Sequence, residues 1–310
     1  MNIPNFLIAG MAKCGTSSLA SYLGQHPDIY ISPKKEPRYF TSQNTEIYPL
    51  RGPKDERLMK WYVTDRGQYF DLFESAKEKA IGEASADTAY FHKYSVPLIK
   101  KELGDPKIIL IIRNPVERSF SAYKHLIRDG RENLEISEAF ERENERIEDN
   151  WELIYHYKKA SLYYEAISAF LQNFTRVKVV LNEQLLANPN QVLRECFEFL
   201  GVDQEFTANT SIRYNVSGKP HSRRLMFLIK RESAFKKVFM PVFKLMIPSV
   251  NKRAKLKSYL LNKNLKRIEI NQHVKTEMYK YFEDDMRKTG SLLDKDLLSF
   301  YNFHPYLVKD

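Results

Sequence analysis

Residues 5–17, Asn-Phe-Leu-Ile-Ala-Gly-Met-Ala-Lys-Cys-Gly-Thr-Ser, set the first constraint on the fold. An apolar strand, Phe6 to Ala9, runs into a loop holding Gly10 and Gly15, and a helix is predicted to begin near Thr16. The N–H groups at such a helix start have no intrahelical acceptor and point outward, so they bind phosphate. Lys13 adds a mobile positive charge inside the loop. The spacing falls short of a Walker A motif, which needs Gly, four residues and then Gly-Lys-Ser/Thr. Gly10 and Gly15 fit, but Thr16 stands where the lysine belongs. From this loop alone, a phosphate cradle and an ordinary Gly-turn between strand and helix both remain open.

The rest of the chain alternates strand and helix. Short β-rich runs at 5–10, 28–32, 79–82, 107–112 and 176–181 are separated by helical patterns near 16–24, 95–103, 115–128, 161–173 and 189–200. Strands spaced by helices predict an α/β fold, with a P-loop-like parallel sheet flanked by helices on both faces and a helical C-terminal portion. In such sheets ligands sit at the carboxyl ends of the strands, where the Lys13 loop lies. The continuous apolar run Lys107 to Ile112 reads as a central strand buried on both faces. It ends in Arg113-Asn114-Pro115, and Pro115 suits the first turn of a helix. Arg113 therefore emerges at the same edge, able to grip an anion bidentately. Ser121, eight residues on, adds a hydroxyl donor about two turns along. A structural salt bridge for Arg113 and a helix-surface role for Ser121 are the plainer readings.

Composition narrows the class. A chain of 310 residues can bury a substantial core, and 28% charged residues is ordinary for a globular protein. No apolar run approaches the ~18 residues of a membrane span, and the N-terminus lacks the basic region of a signal peptide. With Cys14 and Cys196 alone, a reducing, cytoplasmic setting is expected. The net charge of +10 is concentrated in 221–267, where 14 Lys or Arg meet a single acid, Glu232. That segment is interleaved with apolar residues such as Phe227, Phe235 and Phe239, which suits an amphipathic helix at an anionic lipid or polysaccharide surface, or simple packing. The acidic stretch 132–152 reads as a solvated helix face. No nucleic-acid module is visible, and no Cys/His cluster has zinc spacing.

Taken in order, these motifs resemble sulfotransferases that use 3′-phosphoadenosine 5′-phosphosulfate, in the carbohydrate branch with heparan-sulfate enzymes and bacterial relatives. Lys13-Cys14-Gly15-Thr16-Ser17 resembles the family's 5′-phosphosulfate loop, and Arg113 to Ser121 resembles its 3′-phosphate motif. Glu36-Pro-Arg-Tyr-Phe40 is similar to the Glu-x-x-Phe-Phe segment. Asn215 to Pro220 resembles the late loop over the nucleotide, and Asn182 to Val202 the final strand-and-helix signature. The matches run from residue 6 to about 220, and the helical tail fits more loosely. One domain over 1–310 is expected, with a core at 5–220 and a basic helical portion at 221–310.

The resemblance assigns roles. The loop at Lys13, Cys14, Gly15, Thr16, Ser17 and Ser18 would hold the 5′-phosphosulfate, with Lys13 offsetting charge as the phosphate leaves. Arg113 and Ser121 would bind the 3′-phosphate, and Gly218 and Lys219 would close on the nucleotide. Glu36 matches the family's catalytic base, with a surface ion pair to Lys34 or Lys35 as the plainer reading. His92, His125 and Glu83 are alternative bases. The donor would leave as adenosine 3′,5′-bisphosphate and need no metal. The acceptor would be a hydroxyl or amine of a glycan, glycolipid or small metabolite, with no nucleic acid involved and 221–267 open to peripheral membrane contact. Where relatives read Gly-Glu-Lys-Ser-Pro, this chain has Gly82-Glu83-Ala84-Ser85-Ala86, so one cationic sulfate contact is lost, and Lys93 or Lys219 is the substitute on offer. Glu83 either orients Lys13 or faces the acceptor. Tyr39, Phe40, Tyr90, Phe91 and Tyr123 are expected along the cleft. A P-loop kinase or NTPase and a non-catalytic nucleotide-binding relative are the competing readings.

Overall fold

Five parallel strands carry the molecule: β1 (Phe6–Gly10), β2 (Ile29–Ile31), β3 (Ala80–Ala84), β4 (Lys107–Ile112) and β5 (Val177–Leu181). Their order across the sheet is β2-β3-β1-β4-β5. The computed structural model describes residues 2–211 and 270–307, and the backbone of 219–220 and 265–266. β1 lies at the centre, with Leu7 opposite Glu83 on one side and Ile108 on the other. All of β1, and all of β4 after Lys107, is buried, which explains their unbroken apolar runs.

The strand order explains the helix layers. The chain leaves β1 through α1 (Thr16–Leu23) toward β2. It leaves β3 through α5 (His92–Leu103) in the opposite direction, across β1 to β4. Right-handed crossovers in opposite directions put these helices on opposite faces. α1 packs against β1, β2 and β3 beside α11 (Pro189–Leu200); α5 packs with α9 (Tyr164–Asn173), which in turn packs on α12 (Gln272–Leu293). Between β2 and β3 lie the short helices α2 (Tyr39–Ser42), α3 (Asp55–Met59) and α4 (Arg66–Asp71). α6 (Pro115–Asp129), α7 (Ile136–Glu141) and α8 (Glu143–Glu148) follow β4; α10 (Asn182–Ala187) follows β5; α13 (Leu297–Phe300) and α14 (His304–Leu307) follow α12.

The chain divides into two units. The first comprises Met1–Tyr123, Leu134–Tyr214 and Asn271–Asp310 and holds the sheet. The second comprises Lys124–Asn133 and Asn215–Ile270. Its described residues include an antiparallel pair, β6 (Lys219–Pro220) and β7 (Leu265–Lys266), with Lys219 opposite Lys266. Gly218 and nearly all of the basic segment 221–267 lie outside the described residues.

Three expectations are corrected. Tyr39 and Phe40 belong to the core, where Tyr39 stacks on Tyr69 at 4.4 Å and Phe40 meets the same ring edge-on. The stretch 132–152 is not a solvated face throughout. Glu143 is buried and accepts hydrogen bonds from the N–H groups of Lys158 and Lys159, each at 2.7 Å. Arg146 is buried with it, its guanidinium over the rings of Trp151 and Tyr155. Tyr123 is also buried, its hydroxyl donating to the Leu134 carbonyl at 3.0 Å.

Candidate active site

The carboxyl ends of β1, β2, β3 and β4 deliver the predicted residues to one edge of the sheet. β1 feeds the loop from Met11, which is tied to β4 by its N–H on the Ile111 carbonyl at 2.7 Å. Lys13 has a left-handed backbone (φ 71°). Gly15 follows at φ 100° as the residue before α1, and no side chain among the described residues caps that helix start. A Cβ on Gly15 would lie 2.4 Å from Asn182 Nδ2, so the loop needs glycine for both its conformation and its packing. The first-turn N–H groups of an uncapped helix are donors for an anion. Thr16 is buried, Ser17 and Ser18 are half-buried, and the Ser18 N–H bonds back to the Gly15 carbonyl at 3.0 Å.

Cys14 is turned inward. It is fully buried, its Sγ lies 3.7 Å from the Tyr163 hydroxyl, and its N–H bonds the Met11 carbonyl. Burial pushes its thiol up to about 11, so it is not a thiolate nucleophile. Sequence gave no hint of the residue beneath the loop, Arg118. It is fully buried, donating from Nε to the Ala12 carbonyl at 3.0 Å and from Nη1 to the carbonyls of His156 and Tyr157 at 3.1 and 3.3 Å.

At the end of β4, Arg113 is half-buried and 3.7 Å from Glu117, so a salt bridge is present alongside any ligand role. Ser121 is half-buried on α6. The neighbouring Asn114 is held on several sides. Its N–H donates to Glu183 Oε1 at 3.0 Å, and its Nδ2 donates to the Tyr279 hydroxyl and the Tyr301 carbonyl, each at 3.2 Å. The C-terminal helices thus brace the edge that carries Arg113. Burial pushes the Glu183 carboxyl above its ordinary range, with the Asn114 N–H and Arg113 opposing.

Glu36 follows β2 and pairs with Arg38 at 2.9 Å, not with Lys34 or Lys35. Both residues are left-handed, φ 49° and 57°. The Arg38 side chain is 12% exposed and Glu36 25%. Arg38 also reaches Glu152 at 3.4 Å, Asp87 at 3.9 Å and the Tyr62 hydroxyl at 2.6 Å. Burial alone would lower its pKa, but Asp87, Glu36, Tyr62 and Glu152 together hold it above the ordinary arginine value. Glu83 is buried, and Ser85 Oγ donates to its Oε2 at 2.8 Å. The same Ser85 oxygen accepts from the Arg38 N–H at 3.0 Å. Burial pushes the Glu83 carboxyl up to about 8, so at neutral pH it holds its proton.

Of the alternative bases, His92 stands at the start of α5 with Nδ1 3.3 Å from the Ala89 carbonyl, and burial lowers its pKa. His125 is 3.4 Å from Asp129 within the second unit. Lys93 is exposed on α5.

A family model described as "Sulfotransferase family" matches residues 4–206. A sulfotransferase from Alicyclobacillus acidocaldarius is 32% identical, with a TM-score of 0.75 over 97% of this chain and 100% of that one. Membrane-associated sulfotransferase kil1 of Dictyostelium discoideum is 37% identical over 39% of this chain and 22% of its own length. Carbohydrate sulfotransferase 15 of Homo sapiens is 31% identical over 39% of this chain and 27% of its own length. The chain therefore spans about a quarter of the length of these curated relatives.

Proposed function

This chain belongs to the sulfotransferase family, and from that premise we propose that it moves a sulfuryl group from 3′-phosphoadenosine 5′-phosphosulfate to a hydroxyl or amine of a carbohydrate-like acceptor. One observation carries the reading. The uncapped start of α1, with Lys13 before it, and Arg113 at the end of the adjacent strand share one edge of the sheet. Two separated cationic positions on one edge suit a nucleotide bearing anionic groups at both its 5′ and 3′ positions. Gly15 leaves the loop no Cβ, so backbone donors can approach a phosphate closely.

When bound, the donor supplies a sulfonyl group already activated by a phosphate leaving group. Glu36 takes the proton from the acceptor hydroxyl as the new O–S bond forms. Lys13 and the α1 N–H groups offset the charge on the departing phosphate as the old S–O bond breaks. Arg38 holds the Glu36 carboxylate in place. We assign the 3′-phosphate to Arg113 and Ser121, no metal to the donor site, and a cytoplasmic setting to the protein. Two buried, unpaired cysteines support the last assignment. The names of the curated relatives, carbohydrate sulfotransferase 15 among them, support a sugar acceptor.

The test is calorimetry with adenosine 3′,5′-bisphosphate in EDTA, followed by transfer of labelled sulfate to fractionated polysaccharide and lipid extracts. The bisphosphate is expected to bind without metal, and Arg113→Ala to weaken it. Lys13→Ala and Glu36→Gln are expected to abolish transfer, with Glu36→Gln still binding nucleotide. Binding of Mg-ATP with indifference to the bisphosphate overturns the proposal, and normal turnover in Glu36→Gln moves the base elsewhere.

A further inference from the structure

A cavity of about 690 Å³ lies within the first unit. Its volume is in the range of small-ligand sites, roughly 300–1,000 Å³. None of the residues assigned to the donor lines it. Its walls are nonetheless linked, one residue removed, to both halves of the site. Trp151 precedes Glu152, which holds Arg38 at 3.4 Å. Tyr90 follows Ala89, whose N–H bonds the β1 residue Ala9 at 2.6 Å. His156 presents its carbonyl to Arg118, which in turn holds the Ala12 carbonyl under the loop.

The lining is aromatic and polar together. Tyr90, Phe91, Trp151 and Tyr281 contribute ring surfaces. His156 is buried, with Nδ1 2.8 Å from the Tyr90 hydroxyl. Its Nε2 has no hydrogen-bond partner among the described residues. The charges nearly cancel: Lys93, Lys159 and Lys288 against Glu46, Glu165, Asp284 and Asp285. There is no arginine among the described lining residues. A site for a sulfated or uronate-rich chain needs a cationic excess, best supplied by arginine forks. Ring faces with scattered donors and acceptors suit instead a ligand having apolar C–H faces and a rim of hydroxyls.

We propose that this cavity is the acceptor subsite and that it takes a neutral pyranoside, not a polyanionic glycan. The proposal rests on the sulfuryl-transfer reading, but its test does not require turnover. Trp61 is 72% exposed, and the chain has 2 tryptophans, so Trp61→Phe leaves Trp151 as the sole indole reporter. That protein is titrated with cellobiose, lactose and chitobiose, and with a heparin-derived disaccharide. At least one neutral disaccharide is expected to change Trp151 emission saturably, with affinity about tenfold weaker in Tyr281→Ala, while the heparin disaccharide gives no change. Tyr281 is half exposed on α12, so its truncation leaves the core intact. A response to the heparin disaccharide alone, no response to any neutral one, or a response unaltered by Tyr281→Ala overturns the proposal. Calorimetry with adenosine 3′,5′-bisphosphate on the same protein separates the two levels. Bisphosphate binding without a sugar response removes only the subsite. A sugar response without bisphosphate binding removes the acceptor role together with the sulfuryl-transfer reading.

Discussion

Glu36 and Arg38 sit two residues apart in left-handed backbone, with their side chains joined at 2.9 Å. Non-glycine residues rarely adopt that conformation, and it costs on the order of 1–3 kcal/mol each. The surrounding contacts hold both in place: the Arg38 N–H on Ser85, and its guanidinium on Glu152 and Tyr62. The pair holds a carboxylate that is one-quarter exposed against a largely enclosed cation. Charge alone is a poor substitute for the fork that makes these contacts. Arg38→Lys is expected to cut turnover about 10–100-fold, with bisphosphate affinity unchanged. Steady-state kinetics beside calorimetry decides it; an equal fall in nucleotide affinity would place Arg38 in donor binding instead.

Glu83 makes stability depend on pH. Its ordinary pKa is 4.5, and burial raises it to about 8 in the folded protein. Below pH 4.5 both folded and unfolded chains hold the proton, and the group costs nothing. As pH rises toward 8 the unfolded chain ionises while the folded one resists, so stability falls across that window and levels off above it. Glu83→Gln should remove this slope and be more stable near pH 8 by about a few kcal/mol. Urea midpoints measured across the window test this, and parallel curves for the two proteins would refute it.

Arg118→Ala strips the Ala12 carbonyl of its guanidinium donor in the core, while the His156 carbonyl keeps the Ala160 N–H and the Tyr157 carbonyl keeps the hydroxyls of Ser119 and Ser161. Each buried group left unsatisfied costs about 1–3 kcal/mol. The variant is expected to lose about 1–3 kcal/mol of stability and to bind bisphosphate more weakly even where it is folded. Denaturation and calorimetry on one sample separate the effects. Unchanged nucleotide affinity in the folded fraction would deny Arg118 any part in shaping the loop.

Gly15→Ala should weaken bisphosphate binding for two distinguishable reasons. The new Cβ meets Asn182 Nδ2, and φ 100° strains any side chain. Adding Asn182→Ala removes the clash and leaves the strain, so the double variant should recover only part of the lost affinity. Full recovery would mean that packing, and not backbone conformation, demands the glycine.

The central strands were legible because burial on both faces leaves a local signature. The run at Lys107–Ile112 is β4, and Phe6–Gly10 is β1. The shared edge of Lys13, Glu36 and Arg113 was legible because each follows the carboxyl end of a strand. The buried polar framework was not. Arg38 and Arg118 read as ordinary charged positions, since their partners lie up to 114 residues away in sequence. Glu143 looked like one more solvated acid because the N–H groups it accepts from lie 15 and 16 residues on. The expected helix at 161–173 starts instead at Tyr164, where Asp285 of α12 accepts from the N–H groups of Tyr163 and Tyr164. No local pattern announces a cap supplied from another helix. Tyr39 and Phe40 misled for the converse reason: an aromatic pair beside a catalytic candidate is equally good core.

The bonds from the Asn114 amide to Tyr279 and Tyr301 span 165 and 187 residues of chain. On a ribosome adding about 5–20 residues per second, the partners emerge on the order of ten seconds after Asn114 itself. β4 and the loop from β1 can pair in that interval, because both are already made. Until α12 and α13 arrive, the β4 edge next to Arg113 has the Glu183 contact but lacks the Tyr279 and Tyr301 partners. Biosynthesis therefore completes the sheet before the edge assigned to the nucleotide's 3′ end, and a chain arrested before Gln272 would carry the first without the second.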